Sequence, residues 1–93
     1  MLKGKTSTGF EYEISDEALG DWEVTEALVD IDDGKYSAAV KVLRLLLGAD
    51  QTKKLKEHCR DKENGRVTQK AMFSELADIL KGSDSKDDKE KNA

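Results

Sequence analysis

The chain has 93 residues, of which 39% are charged and 37% hydrophobic, with a net charge of −4 and no proline. A chain of this size is one small domain that buries roughly 60–65% of the surface its unfolded form exposes. The acidic balance excludes general nucleic-acid binding, which needs a basic field to neutralise phosphates, and no apolar run reaches the ~18 residues that cross a bilayer.

In chain order, Phe10, Tyr12 and Ile14 alternate with Glu11 and Glu13, the period of a half-buried strand. Leu2 to Lys5 supplies a partner across the turn Thr6-Ser7-Thr8-Gly9, with Gly9 free to take a positive φ. Two strands are marginal alone, so this N-terminal hairpin must lean on helices. Ser15 or Asp16 then caps a helix start, and Asp16 and Glu17 suit the positive end of its dipole. Gly20 leaves continuity open, with Asp21 as a second cap. From Asp21 the pattern is helical, with Trp22, Leu28, Val29 and Ala18 read as one side and Gly34 as the end.

A second helix runs from about Tyr36 to Leu47. Tyr36, Ala39, Val40, Leu43, Leu46 and Leu47 form a full apolar stripe, and Gly48 ends it. Asp50 caps a third, thinly apolar helix through about Lys62, which carries Leu55 and Cys59. Glu63-Asn64-Gly65-Arg66 is a turn. Thr68 caps a fourth helix, Gln69 to Lys81. Its apolar face is Met72, Phe73, Leu76, Ala77, Ile79 and Leu80; Lys70, Ser74, Glu75, Asp78 and Lys81 form the polar side, and Gly82 is the stop. Residues 83–93 have no large apolar side chain and are expected to be disordered. The fold expected is mainly α: an N-terminal β-hairpin and about four helices in a small bundle, as a single domain over 1–82.

The chemistry-bearing residues do not assemble into a site on pattern. Asp30-Ile31-Asp32-Asp33-Gly34 begins like a calcium loop, but glycine falls one place early, and Lys41 stands where a bidentate glutamate belongs. The segment reads as a solvated helix end, its carboxylates slightly at odds with the dipole and prone to fray the last turn. His58 and Cys59 are neighbours, about 100° apart on a helix, so they cannot pair with each other. No further histidine or cysteine completes a zinc site. Cys59 reads as a small buried apolar residue, His58 as a surface one, and Glu11 and Glu13 as a solvent-facing strand edge. No catalytic, metal or cofactor set is expected.

Charge is segregated. Glu11 to Asp33 holds ten acids and no base, whereas Lys35 to Lys62 holds eight bases and three acids. Such polarity can be satisfied within the fold or in solvent, or can orient a second copy or a partner. The second helix is the other unusual feature. Beyond its main stripe, Ala38, Val42 and Leu45 line a second apolar face. A helix apolar over most of its circumference is either central in the domain or open to a partner, and pattern alone leaves both readings standing.

The order of elements, "GFEYEISDEALGDWEVTEALVDIDDG", then "VKVLRLLLG", then "KKLKEHCRDKENGRV" and a final amphipathic helix, resembles the tail assembly chaperones of long-tailed phages and prophages of Gram-positive bacteria. The resemblance spans Gly9 to Gly82. Its most specific parts are Gly20-Asp21-Trp22-Glu23, the Leu-Leu-Leu-Gly helix end and Leu55 to Val67. It implies a non-catalytic assembly factor that binds the tape-measure protein and recruits major tail (tube) protein. Such a factor works in the bacterial host cytoplasm, is absent from the mature virion, and often self-associates as a homo-oligomer. A frameshifted longer form would branch off after Gly82. The contact surface expected is Trp22, Val42, Leu45 and Leu46, with no cofactor, nucleic acid or membrane involved. The competing reading is a small acidic regulatory protein that binds a basic partner, motivated by the run Glu11 to Asp33.

Overall fold

A computed structural model of the chain describes the backbone of residues 1–92 and the side chains of residues 1–82. The tail expected to be disordered, 83–93, lies outside the fully described residues. The architecture is mainly helical with an N-terminal antiparallel hairpin: β1 (Leu2–Lys5), β2 (Glu11–Ile14), α1 (Asp16–Leu19), α2 (Trp22–Asp32), α3 (Ala38–Cys59) and α4 (Gln69–Asn92).

The hairpin pairs Leu2 with Ile14 and Lys5 with Glu11. Tyr12 and Ile14 face inward at 4% and 0% exposure, and Gly9 takes φ 96° in the connecting turn. The Tyr12 ring passes so close to Gly4 that a Cβ there would meet the ring itself, and a Cβ at Gly82 would lie 2.5 Å from Oη. Both glycines are therefore set by the close approach of a phenol sandwiched between β1 and α4. The outer edge of β2 is closed by a side chain: the Gln51 amide accepts from Glu13 N at 2.8 Å and donates to Glu13 O at 2.7 Å. One glutamine thus supplies both bonds of a missing strand neighbour.

Gly20 does separate two helices. Ser15 Oγ accepts from Ala18 N and Asp21 Oδ1 from Glu23 N, so α1 and α2 each carry their own cap. Gly34, at φ 93°, ends α2 with Gly34 N bonded to Ile31 O and Lys35 N to Asp30 O. This is the two-bond Schellman arrangement, so the acidic end is closed by backbone bonds, where the sequence suggests fraying. The "DIDDG" segment is this last helical turn and its cap.

The inward side of α2 is a correction. Val24 and Ala27 are buried and Leu28 and Ile31 packed against the core, whereas Trp22 is 72% and Val29 52% exposed. Val24, Ala27, Leu28 and Ile31 fall at i, i+3, i+4 and i+7, a longer continuous stripe than the one through Trp22, and it buries in preference.

α3 is two helical arms joined at a kink, where Gly48 sits at φ 77°, ψ 171°. The first arm begins at Ala38, two residues after the expected start at Tyr36; the second is the expected thinly apolar helix, but it ends at Cys59 and buries Leu55 completely. Side chains take up carbonyls at the break. Gln51 Nε2 donates to Leu47 O at 2.8 Å, and the Thr52 hydroxyl shares its proton between Gly48 O at 2.7 Å and Leu43 O at 3.2 Å. The first arm is central: Ala39, Val42, Leu43, Leu46 and Leu47 are all buried, and the single core cluster draws residues from every element. Thr68 caps α4 through Ala71 N. Gly82, read as the stop, lies inside α4 instead.

Replacing Gly4 with alanine is expected to cost about 1–3 kcal/mol through overpacking against the Tyr12 ring. Gly82→Ala should cost less, because it meets the hydroxyl alone and gains up to about 1 kcal/mol of helix propensity. Urea denaturation of the two variants checks the order.

Candidate partner-binding site

Of the residues expected to meet a partner, Val42 is fully buried, Leu46 is 6% exposed and Leu45 is half-buried against the core. They hold the domain together instead, because the parts of the first arm that carry them are covered. Trp22 is the exception and projects outward. The exposed large apolar side chains of this region are Tyr36 at 63% and Val40 at 52%, both assigned by pattern to the core stripe.

Tyr36 and Val40 belong to a groove where the start of α3 meets the start of α4. It holds about 380 Å³ and is lined chiefly by Tyr36, Val40, Leu43, Val67, Met72 and Phe73. Tyr36 meets Phe73 edge-on, with centroids 6.0 Å apart and planes at 80°, a favoured aromatic geometry that fixes one wall. The lower end is positioned by the loop between α3 and α4. Arg60 and Val67 form a β-bridge, Asp61 N bonds Arg66 O, Gly65 N bonds Asp61 O at φ 71°, and Asp61 Oδ1 accepts from Glu63 N. A loop with its own backbone bonds holds Val67 in place without core burial.

The segments that build the groove are basic: from Lys35 to Ala49 and from Asn64 to Ser74 there are five bases and no acid. Lys41 leans away toward α2, where its Nζ is 3.9 Å from Glu23 Oε2. Lys35, Arg44, Arg66 and Lys70 are exposed. The Glu23–Lys41 contact joins the acidic run to the basic run. An apolar cleft with an aromatic wall, built from basic segments, fits an amphipathic helix laid into it.

A second polar constellation forms around Glu75, which the sequence pattern places on the surface but which is 2% exposed. Its Oε1 accepts from the Thr6 hydroxyl at 2.9 Å and the Thr8 hydroxyl at 2.8 Å. His58 Nε2 lies 2.9 Å from Thr8 Oγ1 and 3.9 Å from Glu75 Oε1, and the His58 ring tilts against Phe10 at 5.5 Å. A hydroxyl–imidazole–carboxylate relay needs hydroxyl and carboxylate on opposite ring nitrogens. Here both approach Nε2, and the Thr8 proton is committed to the carboxylate. The group works as a clasp: it ties the hairpin turn to α3 and α4. Glu75 Oε2 has no hydrogen-bond partner among the described residues, a burial that costs about 1–3 kcal/mol or more for a charged group. No group of three or more potential ligand side chains converges on a metal position among the described residues.

Next to the clasp, Asp78 Oδ2 accepts from Ser7 Oγ at 2.6 Å and Ser7 N at 3.0 Å. The Ser7 hydroxyl bond, then the Ser7 backbone bond, hold the Asp78 carboxyl below its ordinary range. Burial, then the nearby Glu75 charge, push the Cys59 thiol up.

The chain matches no protein-family model, no curated protein and no solved structure. Within the described residues no helix is long and apolar enough to cross a membrane.

Two outcomes follow. Because the folded Asp78 value is depressed, its contribution is present above the ordinary carboxylate range and is lost as pH falls through the folded value. Asp78→Asn is therefore expected to flatten the acid limb of a stability–pH curve measured by thermal melting. The raised Cys59 thiol should react with a disulfide reagent more slowly than a free cysteine near pH 8, and at the free rate once urea unfolds the chain.

Proposed function

We propose that the chain is a non-catalytic, helix-binding assembly factor. The observation that carries this reading is the open apolar groove of Tyr36, Val40, Val67, Met72 and Phe73 at the joined starts of α3 and α4. A folded domain of this size rarely leaves aromatic and aliphatic side chains exposed together without a partner to cover them. Anchors on a client helix at i, i+3, i+4 and i+7 would fill such a cleft, and the basic segments that build it would favour carboxylates beside those anchors.

The particular role proposed is that of a phage tail assembly chaperone. The supporting features are the element order from Gly9 to Gly82, including Gly20-Asp21-Trp22-Glu23 and Leu45 to Gly48, and a mainly helical fold with a groove. In this role the groove holds helical stretches of the tape-measure protein before the tail tube encloses them. The chaperone brings major tail protein to that complex in the bacterial host cytoplasm and leaves before the virion matures. The client supplies the long helix, and the chaperone supplies a dry, preformed cover that keeps its apolar face from aggregating.

Co-expression with a helical tape-measure segment tests the proposal. The segment is expected to be soluble and to copurify with the wild-type chain. Val40→Glu, which charges an exposed wall position, should weaken the complex at least about tenfold. An insoluble segment with no copurifying chain, or a complex indifferent to Val40→Glu, would sink it.

A further inference from the structure

The loop between α3 and α4 carries a chemically reactive pair of residues. The chain has two asparagines, and Asn64 is the one followed by glycine; Asn92 precedes Ala93, whose Cβ crowds ring closure. Gly65 has no Cβ, so its backbone nitrogen can approach the Asn64 side chain without a clash. Residues 61–66 are all exposed, so water reaches the pair. The reaction open to it is deamidation. Gly65 N attacks Asn64 Cγ, and a new N–Cγ bond forms as the Cγ–Nδ2 bond breaks. The amide proton of Gly65 leaves with the side-chain nitrogen as ammonia. Water then opens the five-membered imide at either carbonyl. One opening gives aspartate, and the other gives isoaspartate, in which the backbone runs through the side chain. Water is the sole co-reactant, and nothing is oxidised or reduced.

The closed loop opposes the first step at each reacting atom. Gly65 N donates its proton to Asp61 O at 2.8 Å, and that proton must be lost before the nitrogen can attack. Asn64 Oδ1 accepts from Arg66 N at 2.9 Å, which fixes the orientation of the side-chain amide. The surrounding backbone is held as well. Gly65 O accepts from Arg60 Nη1 at 2.7 Å, and Asp61 Oδ1 accepts from Glu63 N at 2.7 Å and Asn64 N at 3.3 Å. Arg60 is itself anchored on Glu57, with Nε 2.6 Å from Oε2. Attack therefore requires the loop to open, releasing the Gly65 nitrogen and the Asn64 side chain together.

We propose that Asn64-Gly65 is a deamidation site gated by this loop, dormant while the loop is closed and reactive when it opens. The product changes the loop for good. Isoaspartate inserts a methylene into the backbone inside the ring closed by the Asp61 N–Arg66 O bond and the Arg60–Val67 bridge. Those pairings lose their register, and Val67, which lines the groove, loses the bridge that positions it. A chain that has once opened is thereby marked, and the mark persists when the rest of the fold re-forms.

The test is incubation of the full chain at mildly alkaline pH, folded and in urea, with ammonia release measured and peptide mapping used to assign aspartate and isoaspartate. Only the open fraction reacts, so the folded chain is expected to deamidate at Asn64 at least about tenfold more slowly than the unfolded chain. Asp61→Ala and Arg60→Gln each remove loop bonds from exposed positions. Each should raise the rate in the folded chain at least about threefold and leave the rate in urea unchanged. Circular dichroism confirms that the variants stay folded; if Asp61→Ala is unfolded, Arg60→Gln carries this arm. The purified isoaspartate form should show a displaced Val67 methyl resonance, whereas Asn64→Asp, which adds the charge without lengthening the backbone, should leave it in place. Equal rates in the folded and unfolded chain overturn the proposal. So do loop variants that leave the folded rate unchanged, or an isoaspartate form whose Val67 methyl has not moved.

Discussion

An apolar helix must be covered on most of its sides, and a chain of 93 residues has little with which to cover it. The first arm of α3 sets this demand, with Ala39, Val42, Leu43, Leu46 and Leu47 buried on more than one face. The other elements are arranged around it: α1, α2, α4 and β2 all pack on α3. Cover runs out at the start of the arm, where Tyr36, just before α3, and Val40 remain more than half exposed. The groove is the unfilled end of a core, and that origin explains why it is apolar and preformed.

Holding such a core open at one end requires the elements around it to be fixed by something other than burial. The hairpin is fixed by polar contacts. Thr6 and Thr8 bond the buried Glu75, Ser7 bonds Asp78, and Gln51 completes the edge of β2. These bonds link the turn to α4 and the strand to the second arm of α3. The orphaned Glu75 Oε2 is the cost of that arrangement. Burying a carboxylate between the hairpin and two helices fixes their mutual position more sharply than apolar packing would, since each hydroxyl bond has a defined direction.

What the sequence made legible was local. Gly9, Gly34 and Gly48 sit at positive φ where turns or helix ends were read, and Ser15, Asp21 and Thr68 cap the helices they precede. Each of these depends on a few neighbouring residues and on backbone sterics alone. The inward face of α2 was not legible, because Trp22 and Val29 compete with the stripe Val24, Ala27, Leu28 and Ile31, and the choice is made by the surface of α3. Nor was the burial of Glu75, whose partners lie 67 and 69 residues away in the hairpin turn. Val42 and Leu45 were read as contact residues because their face looked surplus; tertiary cover buries Val42 fully and packs Leu45 half-buried against the core. The groove itself arises from two segments far apart in the chain, so no single helical pattern could display it. The surplus apolarity of α3 is met by core packing at Val42 and Leu46, and the apolar side chains left exposed in this region are Tyr36 and Val40.

The docking site proposed for a client helix is the open end of the α3–α4 core. Methyl-resolved NMR of the full chain during titration with a tape-measure helix tests it directly. Progressive shifts are expected at the methyls of Val40, Val67 and Met72, with Ile14 and Leu55 unmoved on the closed side of the core. Binding that leaves Val40 and Met72 unchanged, or shifts centred on other methyls, would contradict it.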